Sequence, residues 1–339
     1  MTGQKVRLSD VAIAAGTSIK TVSRVINGDP LVSSETRTRV QGEVDRLGYR
    51  VDVMARSLRK GVDETVGVIV PTIGDPFFAT MIEEIERIAL EQNLNVFVAS
   101  NSRTPSTERR VVEGMLARRV AGLIIAPFMT DFGFLAHITT PVVFLDRHPN
   151  GLDSEVVLVD DYAEARNAVK HLASFGHSRI ALIVDDLEIE TSRKRREGYL
   201  AAHIELGLPI DASLQYFGCS NAHKAEASTY KILAHRNAPT AIFSTRTETS
   251  LGVVRALHLG KRTDIAMVSF GDFVAADILS PAITVLDHNP RILARIAMKR
   301  LVVLMAGEEN ESLGDTIVPL RLIARGSGEL SPSVLEVSA

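Results

Sequence analysis

Apolar residues in the first fifty positions recur at helical spacing in three short blocks. Leu8, Val11, Ala12 and Ala15 lie three and four apart, which predicts a one-faced helix over 8–15. Gly16 ends it, and Ser18 offers an oxygen to cap a second helix, 19–26, with Val22, Val25 and Ile26 on one face. Lys20, Thr21 and Arg24 fall largely outside that stripe, and Asn27-Gly28 closes the helix. A third stretch starts at Ser33 or Ser34, runs through Val40, Val44 and Leu47, and stops at Gly48.

Beyond residue 62 the pattern changes to continuous apolar runs alternating with helical blocks. Val66–Val70 ends at Pro71 and reads as a strand buried on both faces. Further strands are predicted at 94–99, 122–126, 142–145, 180–184 and 241–244, Val156–Asp160 falls where the chain would pass between halves, and Val268-Ser269-Phe270 is another apolar run. Helices are expected at 77–92, 106–119, 162–175, 192–206, 222–235 and 250–259. Alternation of this kind builds parallel sheets with right-handed crossovers. The units are too many for one sheet, so the fold class expected is a small all-α head on an α/β body of two parallel-sheet lobes. The boundaries expected are a head over 1–50, a linker over 51–61 and a body over 62–339. Within the body the lobes fall at about 62–160 and 161–290, and 291–325 crosses back.

The composition of the 339 residues, 45% hydrophobic and 23% charged, excludes a mostly disordered chain. Mean hydropathy is +0.12, and no apolar run approaches the ~18–20 residues of a membrane span. Acid and polar residues stand in the first ten positions, where a signal peptide needs its apolar stretch, so a cytoplasmic protein is expected. The lone Cys219 leaves no internal disulfide or cysteine-rich metal site. Charge is distributed unevenly. Residues 1–60 carry eleven Lys and Arg against six acids, a net +5, whereas the other 279 carry 27 against 35, a net −8. A basic head on an acidic body fits a polyanion partner for the head alone. Two short helices joined by a tight turn, the second showing basic and hydroxyl side chains, form a helix-turn-helix that can enter the major groove of duplex DNA.

The stretches Leu8-Ser9-Asp10-Val11-Ala12, Ala15-Gly16-Thr17-Ser18, Thr21-Val22-Ser23-Arg24-Val25-Ile26-Asn27 and Val32-Ser33-Ser34-Glu35-Thr36-Arg37 resemble the head of the LacI/GalR family of bacterial transcription regulators. The match is dense over about sixty residues and thinner to the end of the chain. The resemblance implies that Ile19 and Lys20 read base edges and that Arg24 is a third major-groove contact. Lys20 and Arg24 can donate to guanine, Arg24 suits a phosphate equally well, and Ile19 selects by shape against a thymine methyl. Ser18, Thr21, Ser23 and Asn27 suit phosphate oxygens. Val53–Gly61 resembles the family's hinge helix, which implies that Ala55 and Leu58 lie against DNA, Leu58 as a minor-groove wedge. Val51-Asp52 departs from the proline and small polar residue common there.

The resemblance also implies two lobes like those of periplasmic sugar-binding proteins, with a ligand held between them. Loops after strands are the candidates to line that cleft. They are Phe77 and Phe78, which can stack on a ring or pack in the core, Asn101, and Asp146 with Arg147. Arg196 is the arginine that the resemblance places at the effector, while Lys194 and Arg195 read as a solvated helix face. In the second lobe the candidates are Phe243, Arg246 and Asp272. Relatives carry acids near Arg246 and Gly271, so the effector expected is a sugar, a sugar phosphate or a nucleoside. His288 stands where relatives often have glutamine.

No Walker-type loop, GxGxxG after a strand, GxSxG or HExxH appears in the sequence. No cofactor, catalytic residue or metal ligand is therefore expected. The expected function is a sequence-specific DNA-binding regulator, a repressor, acting as a homodimer on a pseudo-palindromic operator under control of a small-molecule effector. The alternative is a cytoplasmic nucleotide- or sugar-binding enzyme built on a parallel α/β sheet.

Overall fold

A computed structural model describes residues 6–49, 64–128, 131–154, 156–307 and 314–332. The chain clusters into two compact units, 1–63 and 64–339.

The first unit contains α1 (Leu8–Ala14), α2 (Ile19–Ile26) and α3 (Ser34–Leu47). Their apolar stripes meet in a small core of Val11, Ala12, Ala15, Val22, Val25 and Val40, edged by Leu8, Val44, Leu47 and Tyr49. So small a core depends on its helix ends. The Arg7 backbone N–H donates to Asp10 at 2.8 Å ahead of α1. Ser18 accepts from the Thr21 backbone at 3.1 Å, and Ser33 from that of Thr36 at 3.4 Å. Each such cap contributes about 1 kcal/mol. Arg37 donates to the Asp29 carbonyl at 2.7 Å, which pins the loop after α2 to α3.

The second unit holds two six-stranded sheets. The first orders β11 (Thr316–Ile317), β5 (Val156–Leu158), β4 (Val142–Leu145), β3 (Gly122–Ile125), β1 (Thr65–Val70) and β2 (Asn95–Ser100), all parallel. The second orders β12 (Arg321–Ile323), β10 (Thr284–Asp287), β9 (Ala266–Phe270), β8 (Ala241–Ser244), β6 (Ile180–Ile183) and β7 (Gln215–Tyr216). Only β12 runs antiparallel, against β10. The unbroken apolar runs follow from burial on both faces. In β6, Ile180 and Leu182 join one core cluster while Ala181 and Ile183 join another.

Between the strands lie α4 (Pro76–Glu91), α5 (Pro105–Ala117), α6 (Asp161–Ser174), α7 (Glu190–Glu205), α8 (Ala222–Leu233), α9 (Thr247–Leu259) and α10 (Pro290–Met305). Helix α10 leaves the second sheet and packs on α4, β3 and β4 of the first lobe. Within the described residues the chain thus passes between the lobes three times, after β5, β10 and β11. One buried apolar cluster takes in residues of both sheets, among them Val68, Ile124, Leu182 and Phe243.

Helix α9 starts at Thr247, three residues before the predicted 250, because Arg246 is extended (φ −159°) and turns the chain into the helix there. The two-residue strand β7 was not foreseen, since Gln215-Tyr216 carries no apolar run.

Candidate functional site: a DNA-reading helix and an interlobe cleft

In the head, α2 buries Val22 and Val25 and turns the opposite face to solvent. Ile19 is 53% exposed at the start of that face. Lys20, Arg24 and Asn27 are exposed beside it, and Thr21 and Ser23 are half-buried. Ser18 caps the helix, and its hydroxyl lies 2.9 Å from that of Thr21. The Asn27 amide donates to the Ser23 hydroxyl at 3.4 Å. Arg24 stands 3.5 Å from the Asp29 carboxylate with half of its side chain in water. A surface pair of this kind is worth ~0–1 kcal/mol, so its guanidinium is free to exchange Asp29 for a base edge or a phosphate. The hinge expected over 51–61, with Ala55 and Leu58, lies outside the described residues.

In the body, the ends of strands from both lobes surround one cleft. The first lobe supplies Pro71, Asp75, Phe77, Phe78, Arg103, Asp146 and Arg147. The second supplies Asp185, Ile189, Thr191, Ser192, Arg195, Arg246 and Thr247, with His288 from the crossover after β10. Five of the expected effector residues therefore converge: Phe77, Phe78, Asp146, Arg147 and Arg246. Phe77 packs edge-to-face on Phe78 with ring centroids 5.0 Å apart and lies 4.3 Å from the His288 ring. Phe77 is thus packed against protein rings on two sides.

The other four need correction. Arg196 points away from the cleft, donates to Gln215 at 3.2 Å and stacks at 5.3 Å on Phe217. The arginine in the cleft is Arg195, expected to be solvated, which is buried and donates to Asp161 at 2.7 Å and to the Thr245 carbonyl. The physical reason is helical phase. Arg195, Tyr199 and Ala202 form one buried stripe of α7, and Arg196 is turned about 100° out of it. Gly198 allows that stripe to approach α6, since a Cβ there would sit 2.2 Å from the Tyr162 carbonyl oxygen. Phe243 is fully buried because its strand is covered on both faces. Asn101 is also fully buried. It donates to Glu108 at 2.7 Å and accepts from the Arg103 backbone at 2.8 Å, so it shapes the loop that carries Arg103. Asp272 is held outside the cleft by two bonds from Arg325 at 2.8 and 2.6 Å.

Ion pairs join the lobes. Arg246 donates to Asp75 of the first lobe at 2.7 Å and to Asp185 of its own at 2.6 Å. Arg103 reaches from the first lobe to the same Asp185 at 2.7 Å. Burial pushes the Asp185 carboxyl up, but the Arg246 and Arg103 charges outweigh it and hold it below the usual range. Farther in, burial raises Asp161 to about 6 despite its Arg195 partner. His288 is pushed down to about 3 by burial and by the Arg195 charge, so its ring is neutral at pH 7. The Thr247 hydroxyl and His288 Nδ1 are buried without a hydrogen-bond partner, and both line the cleft. Buried polar atoms are normally satisfied, so these two are candidates to meet a ligand's polar groups. Gly271 (φ +102°) makes room for them, because a Cβ there would lie 2.4 Å from the Thr247 hydroxyl and 2.9 Å from His288.

Asp185 and Arg195 were the residues most open to discovery from the sequence. Asp185 directly follows an apolar strand run, as Asp146 does, and Arg195 sits in phase with Tyr199 and Ala202. Arg103 carried no such signal, because its place depends on the loop that Asn101 shapes. Among the described residues there is no cluster of three or more His, Cys, Asp or Glu able to hold a metal ion. No helix among them is long and apolar enough to cross a membrane.

A helix-turn-helix head followed by two lobes around a buried polar cleft defines a ligand-responsive DNA-binding regulator, and comparison with known proteins agrees. Residues 7–52 match the family described as bacterial regulatory proteins, lacI family, and 63–324 match periplasmic binding proteins and sugar binding domain of LacI family. The chain is 30% identical over 325 residues to catabolite control protein A of Priestia megaterium, covering 93% of this chain and 96% of that protein. It is 28% identical to the ribose operon repressor of Escherichia coli strain K12, covering 87% and 92%. Among solved structures, the lac repressor dimer bound to operator and the anti-inducer ONPF superposes with a TM-score of 0.83 at 26% identity, covering 97% of this chain and all of that one. The chain belongs to the LacI family of bacterial regulatory proteins. It is a DNA-binding transcriptional regulator.

Proposed function

We propose that the protein is a cytoplasmic repressor that binds a pseudo-palindromic operator as a homodimer and is controlled by a sugar-sized effector in the interlobe cleft. The observation that carries this reading is the convergence of Phe77, Arg195, Thr247 and His288 on one cleft, two of them with unpartnered buried polar atoms. Ile19, Lys20 and Arg24 read bases, while Ser18, Thr21, Ser23 and Asn27 set register on phosphates. One head offers few base contacts, so two heads on half-sites about one helical turn apart are needed for useful affinity. Ala55 and Leu58 complete the contact in the minor groove. An effector that favours one lobe arrangement alters the spacing of the two heads, a coupling of about 1–3 kcal/mol that acts equally in both directions.

A phosphorylated effector fits less well than an uncharged or cationic one, because Arg103, Arg147, Arg195 and Arg246 each already face a carboxylate. Thermal-shift screening of sugars, amino sugars, sugar phosphates and nucleosides tests the reading, since a ligand bound by the native state alone raises stability. A hit is expected to lose its effect in Arg195→Ala, and a hit that keeps its full effect there places the pocket elsewhere.

A further inference from the structure

Arg246 leaves its own lobe at the extended residue before α9 and enters the cleft with its side chain only 15% exposed. Its guanidinium donates to Asp75 at 2.7 Å, to Glu248 at 2.8 Å, to Asp185 at 2.6 Å and to the Ser220 carbonyl at 3.3 Å. Asp75 and Asp185 are 4% and 2% exposed. The chain Asp75–Arg246–Asp185–Arg103 therefore crosses between the lobes twice and clamps them together. The space left beside it is about 40 Å³. That holds about three waters and is far below the ~300–1,000 Å³ of an ordinary small-molecule site.

We propose that Arg246 is the specificity determinant of the cleft, a tethered cation seated among carboxylates of both lobes, and that the small molecule able to take its place carries an ammonium or guanidinium group beside its hydroxyls. This rests on the reading of the cleft as the effector site and names the ligand class for it. A neutral sugar that displaced Arg246 would leave Asp75 buried without a counter-charge and Asp185 with Arg103 alone. An anion would add negative charge to a place where Asp75, Asp185 and Glu248 already outnumber Arg246 and Arg103. The Glu248 carboxyl beside them is held above its usual range chiefly by burial, with Arg246 and Arg103 pulling it down and Asp75 and Asp185 pushing it up. The unpartnered Thr247 hydroxyl, next in sequence, and His288 Nδ1 would receive the ligand's hydroxyls.

Chemical rescue tests the assignment on the full-length protein. Arg246→Ala removes an ethylguanidinium-shaped group. The variant is expected to melt lower than wild type and to scatter X-rays as a more open body. Added ethylguanidinium is expected to restore both properties saturably, while N-ethylurea, of the same shape but uncharged, restores neither. Adding Asp75→Asn to this variant is expected to weaken ethylguanidinium binding ~tenfold, because one buried counter-charge is gone. Rescue by N-ethylurea equal to that by ethylguanidinium, or no weakening by Asp75→Asn, would overturn the proposal. Should Arg246→Ala fail to fold, Asp75→Asn alone keeps the test open. It is expected to open the lobes in scattering, and a profile identical to wild type refutes the clamp. Failure of every metabolite in the thermal-shift screen would count against the effector-site reading and leave the rescue result standing.

Discussion

Replacing Arg195 by alanine separates the structure's assignment from that of the neighbouring Arg196, and its cost can be worked out in parts. Asp161 is fully buried, and its carboxyl stands at about 6 with Arg195 in place. Without Arg195 it rises further, but proton uptake caps the penalty. With Asp161 protonated in the variant at pH 7, the loss relative to wild type is ~1.4 kcal/mol, one pH unit above a pKa of about 6. The Thr245 carbonyl also loses its guanidinium donor, at about 1–3 kcal/mol. The guanidinium lies 3.8 Å over the Phe270 ring, a contact worth about 1 kcal/mol. The expected loss is about 3–5 kcal/mol at pH 7, measured by urea denaturation. Its pH dependence has a definite sign. A carboxyl raised on folding destabilises where it is charged, and this contribution vanishes as both native forms take up the proton. By about pH 5 the ~1.4 kcal/mol share should be gone, while above pH 7 the gap should widen. Arg196→Ala, which loses one bond to Gln215 on a half-buried side chain, should cost ~1 kcal/mol or less at every pH. A loss for Arg195→Ala below ~1 kcal/mol, or one constant from about pH 5 to 8, would refute the buried pairing with Asp161.

Three further outcomes are expected. His148 bridges Glu190 of α7 at 3.0 Å and Asp315 ahead of β11 at 2.8 Å, and although burial lowers its pKa, these carboxylates raise it overall. Its contribution to stability is present below the unfolded value of ~6.5 and lost as pH rises through the raised folded value, so the melting-point gap between wild type and His148→Ala should shrink from about pH 6 to pH 9. Gly271→Asp puts a Cβ 2.4 Å from the Thr247 hydroxyl at φ +102°. It should lower stability by ~2 kcal/mol or more, and an unchanged melting point would show that the loop yields without cost. Lys20→Ala should relax preference at one base position of the selected binding site, and an identical site profile would place Lys20 on phosphate alone.

How far the sequence reached depended on how local the cause was. Helix α2 was legible to the residue, because Ser18 caps it, Val22 and Val25 set its phase and Asn27-Gly28 ends it, all within ten positions. Strands β4 and β8 were equally plain, since burial on both faces writes an unbroken apolar run. The cleft was legible in part, at Asp146 and Arg147 directly after such a run and at Phe77, Phe78 and Arg246 at the helix starts beyond others. Arg195 was misread as surface because three neighbouring charges conceal which one shares a stripe with Tyr199 and Ala202. Asn101 and Asp272 do follow strands, but tertiary partners, Glu108 and Arg325, turn them away. Nothing in the sequence reveals that Arg246 and Arg103 converge on Asp185 from opposite lobes, because those contacts span 61 and 82 residues.

The most direct test of a head governed from its cleft is the affinity for one selected genomic fragment, measured by fluorescence anisotropy with and without a ligand that raises the melting point. The expected result is a change in Kd of about five- to 150-fold, with the fragment changing the ligand's own affinity by the same factor. A ligand that saturates the cleft yet leaves the Kd for DNA untouched would contradict it.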